Sequence, residues 1–172
     1  MYSETKKTDF QCPSADIETI SKTLIASDDL CKLLYFTDSK PLAHELTDEI
    51  RASLFDDNYV SIIPWTNADT KEKSNIVISF DNFMPTITNS LFMDSTLIFD
   101  IMCPRSIWKI KDRQNKTVLR PYEIAHLVHK LVDGKRFTGI GTAVFSNAQS
   151  IIIPANEYVG GLSLRYTLTN NA

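Results

Sequence analysis

The sequence has few of the residues that build disulfide and metal sites. It contains three cysteines, Cys12, Cys31 and Cys103, which are widely spaced and form no C-x-x-C pair. An odd, unclustered set argues against a disulfide framework and against a zinc site. We therefore expect reduced thiols, as in a cytosolic protein. Cys103, which precedes Pro104, is expected to act as a small buried hydrophobe.

Glycine is also scarce, with five residues, and no glycine-rich phosphate loop is present. Gly139 and Gly141 are followed by strand-forming residues, so no helix N-terminus would face a phosphate. We interpret them as places where strands approach closely. The chain has no G-x-S-x-G elbow, and no cysteine has a histidine nearby in sequence. These patterns predict no cofactor and no enzymatic activity.

Long apolar runs are missing, and the longest are too short to span a bilayer. The lysines near Met1 are not followed by an apolar stretch, which argues against a signal peptide. We expect no membrane partner. The net charge of -3 argues against a general nucleic-acid binder. With 172 residues, 43% of them hydrophobic, the chain is long enough for one globular domain with its own core.

The first part of the chain predicts an arm followed by helices and strands. Residues 1–13 are polar and are expected to form a flexible N-terminal arm, followed by a single domain over 14–172. Helical spacing with a break at Ser27 predicts helices within Asp16–Phe36, and a further helix is predicted over Leu42–Leu54. Predicted strands follow at Tyr59–Ile63, Asn75–Asp81 and Thr96–Met102.

The region Leu119–Leu168 has the clearest pattern. Pro121 suits the first turn of a helix and Gly134 suits its C-terminal cap. Between them lies one apolar stripe, formed by Ile124, Leu127, Val128, Leu131 and Val132. We then predict a strand over Thr138–Phe145, a turn at Asn147–Ser150, a short strand at Ile151–Ile153 and an alternating strand over Tyr158–Leu168. This order predicts an α+β fold, in which a mixed, mostly antiparallel sheet is packed by a central helix and preceded by N-terminal helices.

A predicted loop, Asn82–Ser95, is longer than a hairpin needs and carries large apolar side chains. These side chains are Phe83, Met84, Leu91, Phe92 and Met93. The loop either folds back onto its own sheet or packs on a neighbouring subunit, and we favour the subunit.

One stretch concentrates basic residues around an aromatic residue: Arg105, Trp108, Lys109, Lys111 and Arg113. Such a pattern can track single-stranded nucleic acid. An exposed charged loop is the simpler interpretation. In a ring-shaped assembly the same loop would line a lumen or meet an acidic partner.

Two sets of residues raise the question of a metal site. Asp81 and Asp100 lie on adjacent predicted strands, as the carboxylates of some metal-dependent nucleases do, but the sequence lacks an accompanying lysine or third acid. Glu123, His126 and His129 fall near one helix face, without the H-E-x-x-H pattern. We interpret the helix residues as a solvated face and the aspartates as a solvent or interface face.

Four blocks of sequence resemble the neck proteins of tailed bacteriophages, most closely the tail-terminator (tail-completion) family. They are Leu97–Pro104 (LIFDIMCP), Leu119–Ala125 (LRPYEIA), Gly139–Gly141 (GIG) and Tyr158–Tyr166 (YVGGLSLRY). The resemblance implies a small α+β subunit of the virion that forms a ring, typically a hexamer. The ring terminates the tail tube and joins it to the head connector. No catalytic residue or cofactor is implied.

The resemblance also implies partners and a location. The partners are copies of the chain itself, the tail tube protein and the head connector or portal-side neck proteins, with DNA passing through the lumen. The location is the virion neck, assembled in the host cytoplasm. The interface would involve the N-terminal arm, the Asn82–Ser95 loop and the basic Arg105–Lys116 segment. The alternatives are a head-closure or other connector ring, or a metal-dependent phage nuclease using Asp81 and Asp100.

Overall fold

A computed structural model describes residues 11–62, 73–85, 93–138, 140–152 and 158–169. Residues 1–10 of the predicted arm lie outside this set, and the first helix begins within the arm's last three residues. The helices are α1 (Gln11–Ile25), α2 (Asp28–Tyr35), α3 (Asp48–Asp56) and α4 (Arg120–Val132). The strands are β1 (Val60–Ser61), β2 (Asn75–Pro85), β3 (Met93–Pro104), β4 (Lys109–Lys111), β5 (Thr117–Leu119), β6 (Arg136–Phe137), β7 (Gly141–Ile152) and β8 (Val159–Thr169).

The predicted break in the N-terminal helical region is confirmed. Ser27 separates α1 from α2, and its hydroxyl oxygen accepts a hydrogen bond from the Leu30 N–H at 3.5 Å. Asp28 and Asp29 place negative charge in the first turn, where the helix dipole is positive.

The predicted helix over Leu42–Leu54 is wrong in its first half. A single 3-10 turn, Pro41–Ala43, is followed by non-helical backbone up to the start of α3 at Asp48. The hydroxyl oxygen of Thr47 accepts a hydrogen bond from the Ile50 N–H at 3.3 Å and so caps α3. Because Thr47 starts a new helix soon after Pro41, the apolar residues spaced over Leu42–Leu54 belong to two separate elements, the 3-10 turn and α3.

Six of the strands form one sheet, in the order β1-β2-β3-β8-β7-β6. Among the strands that the structure describes, β1 and β2 pair in parallel and the other neighbouring pairs are antiparallel. A separate two-stranded hairpin is formed by β4 and β5. The predicted α+β class with a mostly antiparallel sheet is confirmed.

Two predicted connections are strand in the structure. Much of the predicted Asn82–Ser95 loop belongs to β2 and β3, because Met84 pairs with Asp94 and Pro85 pairs with Met93. The connection itself, residues 86–92, lies outside the described residues. The predicted turn at Asn147–Ser150 is wrong, since β7 continues through it to Ile152 beside β8. A β-bulge between Phe145 and Asn147 accommodates one extra residue in β7. The polar residues that follow the bulge therefore continue the strand.

The core lies between the helices and one face of the sheet. The buried face of α4, with Ile124, Val128 and Val132, packs against this sheet face, which confirms the predicted stripe. Leu127 and Leu131 are half-buried at its margin. On the opposite face of the sheet the buried side chains are separate from this core; they include Val77 and Ile98. The fold therefore buries one sheet face under helices and leaves the other outside that layer.

Two glycines, Gly134 after α4 and Gly141 at the start of β7, have backbone conformations that favour glycine. Gly134 has φ +71° and follows α4, as predicted for a C-terminal cap. Gly141 opens β7 with φ +93°, a backbone conformation that residues other than glycine rarely adopt.

Arg120 is fully buried, which the sequence did not predict. Its guanidinium donates to the carbonyl oxygens of Ile107 (2.9 Å), Leu33 (2.7 Å), Phe36 (2.5 Å) and Asp38 (2.8 Å). Leu33 and Phe36 lie at the C-terminal end of α2, where carbonyls lack helical partners and a cation is favoured by the dipole. Burial lowers the pKa of this guanidinium from its ordinary value. The side chain therefore joins α2 to the first residue of α4.

We predict that Arg120→Ala lowers the free energy of unfolding by about 3–5 kcal/mol, because it leaves buried carbonyls without donors and creates a cavity. Arg120→Lys is also expected to destabilise, since an ammonium group lacks the planar fork that reaches four carbonyls. Urea unfolding measures both effects. The matched control is Arg136→Ala, an exposed arginine in β6, with an expected change of less than about 0.5 kcal/mol. Equal effects of Arg120→Ala and Arg136→Ala would contradict the structural role.

Candidate assembly interface

Three of the five apolar residues predicted for an interface lie in strands of the main sheet. Phe83 and Met84 lie near the end of β2, and Met93 begins β3. Leu91 and Phe92 lie outside the described residues. Their role in subunit contact stays a prediction.

The basic stretch forms a defined structure around the β4–β5 hairpin. Arg105 lies in a 3-10 turn and is exposed, and Lys109 and Lys111 share the side of β4 opposite buried Ile110. Lys111 donates to the Thr117 hydroxyl at 2.8 Å, and Arg113 forms an ion pair with Asp29 at 2.6 Å. Beside the hairpin is a cavity of about 410 Å³, lined by Lys40, Leu42, Ala43, Lys111, Asp112, Arg113 and Asn115.

Trp108 is used in packing within the subunit. Its indole N–H donates to the Cys103 carbonyl oxygen at 2.9 Å. The ring lies against Gly160, where an added Cβ would come within 3.2 Å of it. Trp108 is half-buried against the core, which argues against its use as a platform for stacking nucleic-acid bases.

The edge of β4 that faces away from β5 already forms a backbone hydrogen bond within the subunit. The Lys111 N–H donates to the Ser39 carbonyl oxygen at 2.7 Å, on the side away from β5. The hairpin therefore offers side chains to a partner, whereas its backbone edge is occupied at this point.

The long sheet has a different kind of edge along β7. Short β6 pairs with β7 only at Gly141 and Thr142, and Asp133 accepts the Phe145 N–H at 2.8 Å. Beyond Phe145, within the described part of the chain, β8 is the only strand that pairs with β7. The register directs the backbone N–H and C=O groups of Ala148 and Ser150 away from β8. We call residues 146–152 the β7 edge.

At the opposite edge of the sheet, β1 pairs with β2 at Ile76 and Val77. The Ile76 N–H donates to the Tyr59 carbonyl oxygen at 2.8 Å. Pro85 ends β2, at a position where a strand tolerates a residue without an N–H to donate.

The structure separates the two aspartates of the nuclease alternative. Asp100 pairs with Val77, whereas Asp81 pairs with Thr96. The two carboxylates therefore share a face but stand four residues apart, about 13 Å along the strands. A two-metal centre needs ions about 3.5–4 Å apart, held by carboxylates around them.

The histidines of α4 do not form one solvated face. His129 is half-buried, and its Nδ1 lies 3.3 Å from the Tyr166 hydroxyl. Its ring also contacts the Phe145 ring edge-on, with centroids 5.0 Å apart. His126 is exposed, as predicted. Over the described ranges, no group of three or more His, Cys, Asp or Glu residues could hold a metal ion.

Cys31 and Cys103 are free and fully buried. Burial raises the pKa of each thiol to about 11, so both are protonated at neutral pH. Cys103 is thus the small buried hydrophobe that was predicted. None of the helices described here is long and apolar enough to cross a membrane.

The fold defines a small α+β protein in which, over the described residues, the β7 edge of the main sheet has a strand neighbour only on the β8 side. The family model YomW matches residues 27–168, and the chain belongs to this family. The family is of the SPBeta-like Bacillus phage type, which indicates a phage-encoded protein and agrees with the phage origin implied by the resemblance. No curated protein and no solved structure matches the chain significantly.

We predict that Trp108→Phe lowers the free energy of unfolding by about 1 kcal/mol, because it removes the hydrogen bond to the Cys103 carbonyl. The affinity for single-stranded DNA is expected to stay unchanged. Urea unfolding and fluorescence anisotropy measure the two quantities. Tyr122→Phe, at an exposed residue of α4, is the matched control for stability. A selective loss of DNA affinity in Trp108→Phe, without a loss of stability, would contradict the packing role.

Proposed function

We propose that this chain is a structural virion protein of a tailed-phage neck. Copies assemble into a ring, in our proposal a hexamer, that terminates the tail tube and joins it to the head connector. The protein acts through its surfaces and transforms no molecule. The observation that carries the proposal is the β7 edge.

The β7 edge lacks the usual protection against pairing with another chain. Natural edge strands are commonly short or carry lysine, proline or inward-pointing charges. Residues 146–152, SNAQSII, contain no charged residue and no proline, and residues 146–150 are all exposed. A second strand can add to this edge through backbone hydrogen bonds, which supports assembly of copies through the sheet.

The proposed ring needs a heterologous contact at the β7 edge. Pairing of β7 with β7 of a second copy would be isologous and would close as a dimer. Pairing of β7 with a different surface of the next copy is heterologous, and such contacts form a ring when the rotation closes.

In this proposal the remaining surfaces contact the larger bodies that the ring joins. The basic stretch around the β4–β5 hairpin, in which Arg105 and Lys109 are exposed, suits an acidic surface of the tail tube or of the head connector. DNA passes through the central opening. A head-closure ring or another connector ring would use the same assembly at a different height in the neck.

We predict that the wild-type chain has the mass of a ring and that Ala148→Pro is a monomer. The Ala148 N–H points away from β8, so proline removes a donor to the neighbouring copy while the β7–β8 pairing is kept. Ala148→Ser, which keeps the N–H, is the matched control and should assemble. Light scattering gives the mass, negative-stain microscopy shows the ring, and circular dichroism shows that both variants are folded. A wild-type chain that stays monomeric, alone and with tail tubes, would contradict the proposal.

We further predict that an antibody against this chain labels the junction between head and tail in intact virions. Virions assembled without the chain should yield separate heads and tails, with tails of uneven length, because nothing ends growth of the tube. Electron microscopy measures both. Normal tail length with unjoined tails would favour a connector ring nearer the head, and labelling away from the neck would contradict the proposal.

A further inference from the structure

We infer that the cavity beside the β4–β5 hairpin binds a glutamate-rich segment of a partner protein, whose carboxylates lie between Lys40, Lys111 and Arg113. This inference deepens the proposed function and rests on it for the place of the partner, which is the tail tube or the head connector. The binding itself is a property of the single subunit.

The cavity has walls from two separate parts of the chain. One wall is the hairpin, with residues 111–113 and Asn115, and the other is the segment around the 3-10 turn, with Lys40, Leu42 and Ala43. The enclosed volume of about 410 Å³ is in the range of clefts that hold small ligands. The site therefore has room for a few side chains of a partner, which a flat basic surface would not enclose.

Hydrogen bonds within the subunit hold both walls in place. The Lys111 N–H donates to the Ser39 carbonyl oxygen at 2.7 Å, which joins the hairpin to the segment that carries the opposite wall. The Asp112 carboxylate accepts the N–H groups of Gln114 at 2.9 Å and Lys116 at 2.8 Å, and so fixes the turn of the hairpin. The site is therefore formed before a ligand arrives, which lowers the entropy cost of binding.

The cavity carries more positive than negative charge. Three cationic side chains line it, from Lys40, Lys111 and Arg113, whereas Asp112 is the one carboxylate among the lining residues. The Lys111 ammonium donates to the Thr117 hydroxyl at 2.8 Å, and this neutral acceptor leaves the charge uncompensated. Among the described residues, neither Lys40 nor Lys111 forms an ion pair. An anionic ligand would neutralise this excess charge.

Arg113 is positioned by a carboxylate of its own subunit and can still bind a second one. One nitrogen of its guanidinium lies 2.6 Å from the Asp29 carboxylate, which fixes the direction of the side chain. A guanidinium has five N–H donors, so donors remain for another carboxylate. Arg113 therefore contributes hydrogen bonds of defined direction to the cavity, in addition to charge.

The acidic border of the cavity favours a protein segment over DNA. Asp29 is paired with Arg113, and the Asp38 carboxylate accepts the Lys40 N–H at 2.7 Å, so carboxylates lie beside the cations. Duplex DNA carries one negative charge per about 1.7 Å of its axis and is bound by extended basic surfaces. Such a polyanion would also meet these aspartates, whereas a short segment can place a few carboxylates within the cavity alone.

The apolar part of the cavity favours glutamate over aspartate. Leu42 and Ala43 contribute apolar surface to the wall opposite the hairpin, and Leu42 is half-buried against the core. A glutamate side chain has one more methylene group than aspartate, and burial of that group against an apolar wall favours binding. The longer side chain can therefore contact Leu42 while its carboxylate reaches the lysines.

The test is binding of a fluorescein-labelled, capped pentaglutamate peptide to the full chain, followed by fluorescence anisotropy. We expect the peptide to bind at low salt and the affinity to fall as salt is added, because exposed charges are screened. Capped pentaglutamine, which has no charge, should not bind. Capped penta-aspartate should bind about threefold more weakly than pentaglutamate, because each side chain lacks one methylene group.

Substitutions on the two walls locate the binding site. Lys40→Gln and Lys111→Gln should each lower the affinity for pentaglutamate about fivefold, since each removes one charged donor. The matched control is Lys109→Gln, at an exposed lysine of the same strand that does not line the cavity, with an expected change of less than about twofold. Circular dichroism shows that each variant is folded, and Lys40→Gln provides a second measurement if Lys111→Gln is not.

Three outcomes would overturn the inference. They are no binding of pentaglutamate, an equal loss of affinity in Lys109→Gln, and tighter binding of a single-stranded oligothymidylate with five phosphates that is lost in Lys40→Gln. The last outcome would assign the cavity to nucleic acid.

Light scattering of the same samples separates this inference from the proposed function. A ring that does not bind pentaglutamate leaves the neck proposal standing and contradicts the acidic-segment site. A chain that stays monomeric, alone and with tail tubes, but binds the peptide with the expected losses keeps the site and contradicts the neck proposal.

Discussion

The Arg120 guanidinium joins parts of the chain that are far apart in sequence. It donates to carbonyls at the end of α2 and in the turn before β4, while its own backbone begins α4. A buried guanidinium without these acceptors would be costly, so the three elements must meet correctly for the core to close. The relative positions of α2, the turn before β4 and α4 depend on this contact.

Covering one face leaves the other face and the β7 edge outside the helical layer. On the outer face, buried Val77 and Ile98 lie among residues such as Asp100 and Arg165. The β7 edge, whose residues 146–150 are exposed, is the basis of the proposed ring.

Predictions from local patterns succeeded where one physical cause dominated. The α4 stripe, the break at Ser27 and the cap at Gly134 each follow from spacing or from a single residue type. Predictions failed where a neighbouring strand decided the outcome. Residues Asn147–Ser150 have the composition of a turn, but they form a strand because each of them pairs with a residue of β8. Tertiary context of this kind overrides local propensity.

The sequence by itself determined the α+β class, the central helix and the alternating last strand, because hydrophobic periodicity is a local property that burial against any apolar surface will satisfy. It also indicated a phage origin, which the YomW family match supports, whereas the tail-terminator role stays a proposal. Only the tertiary structure decided the burial of Arg120, the packing of Trp108 and the order of the strands in the sheet. Those features depend on which distant segments of the chain come into contact and on the register between strands. Neither can be predicted from the spacing of residues along one segment.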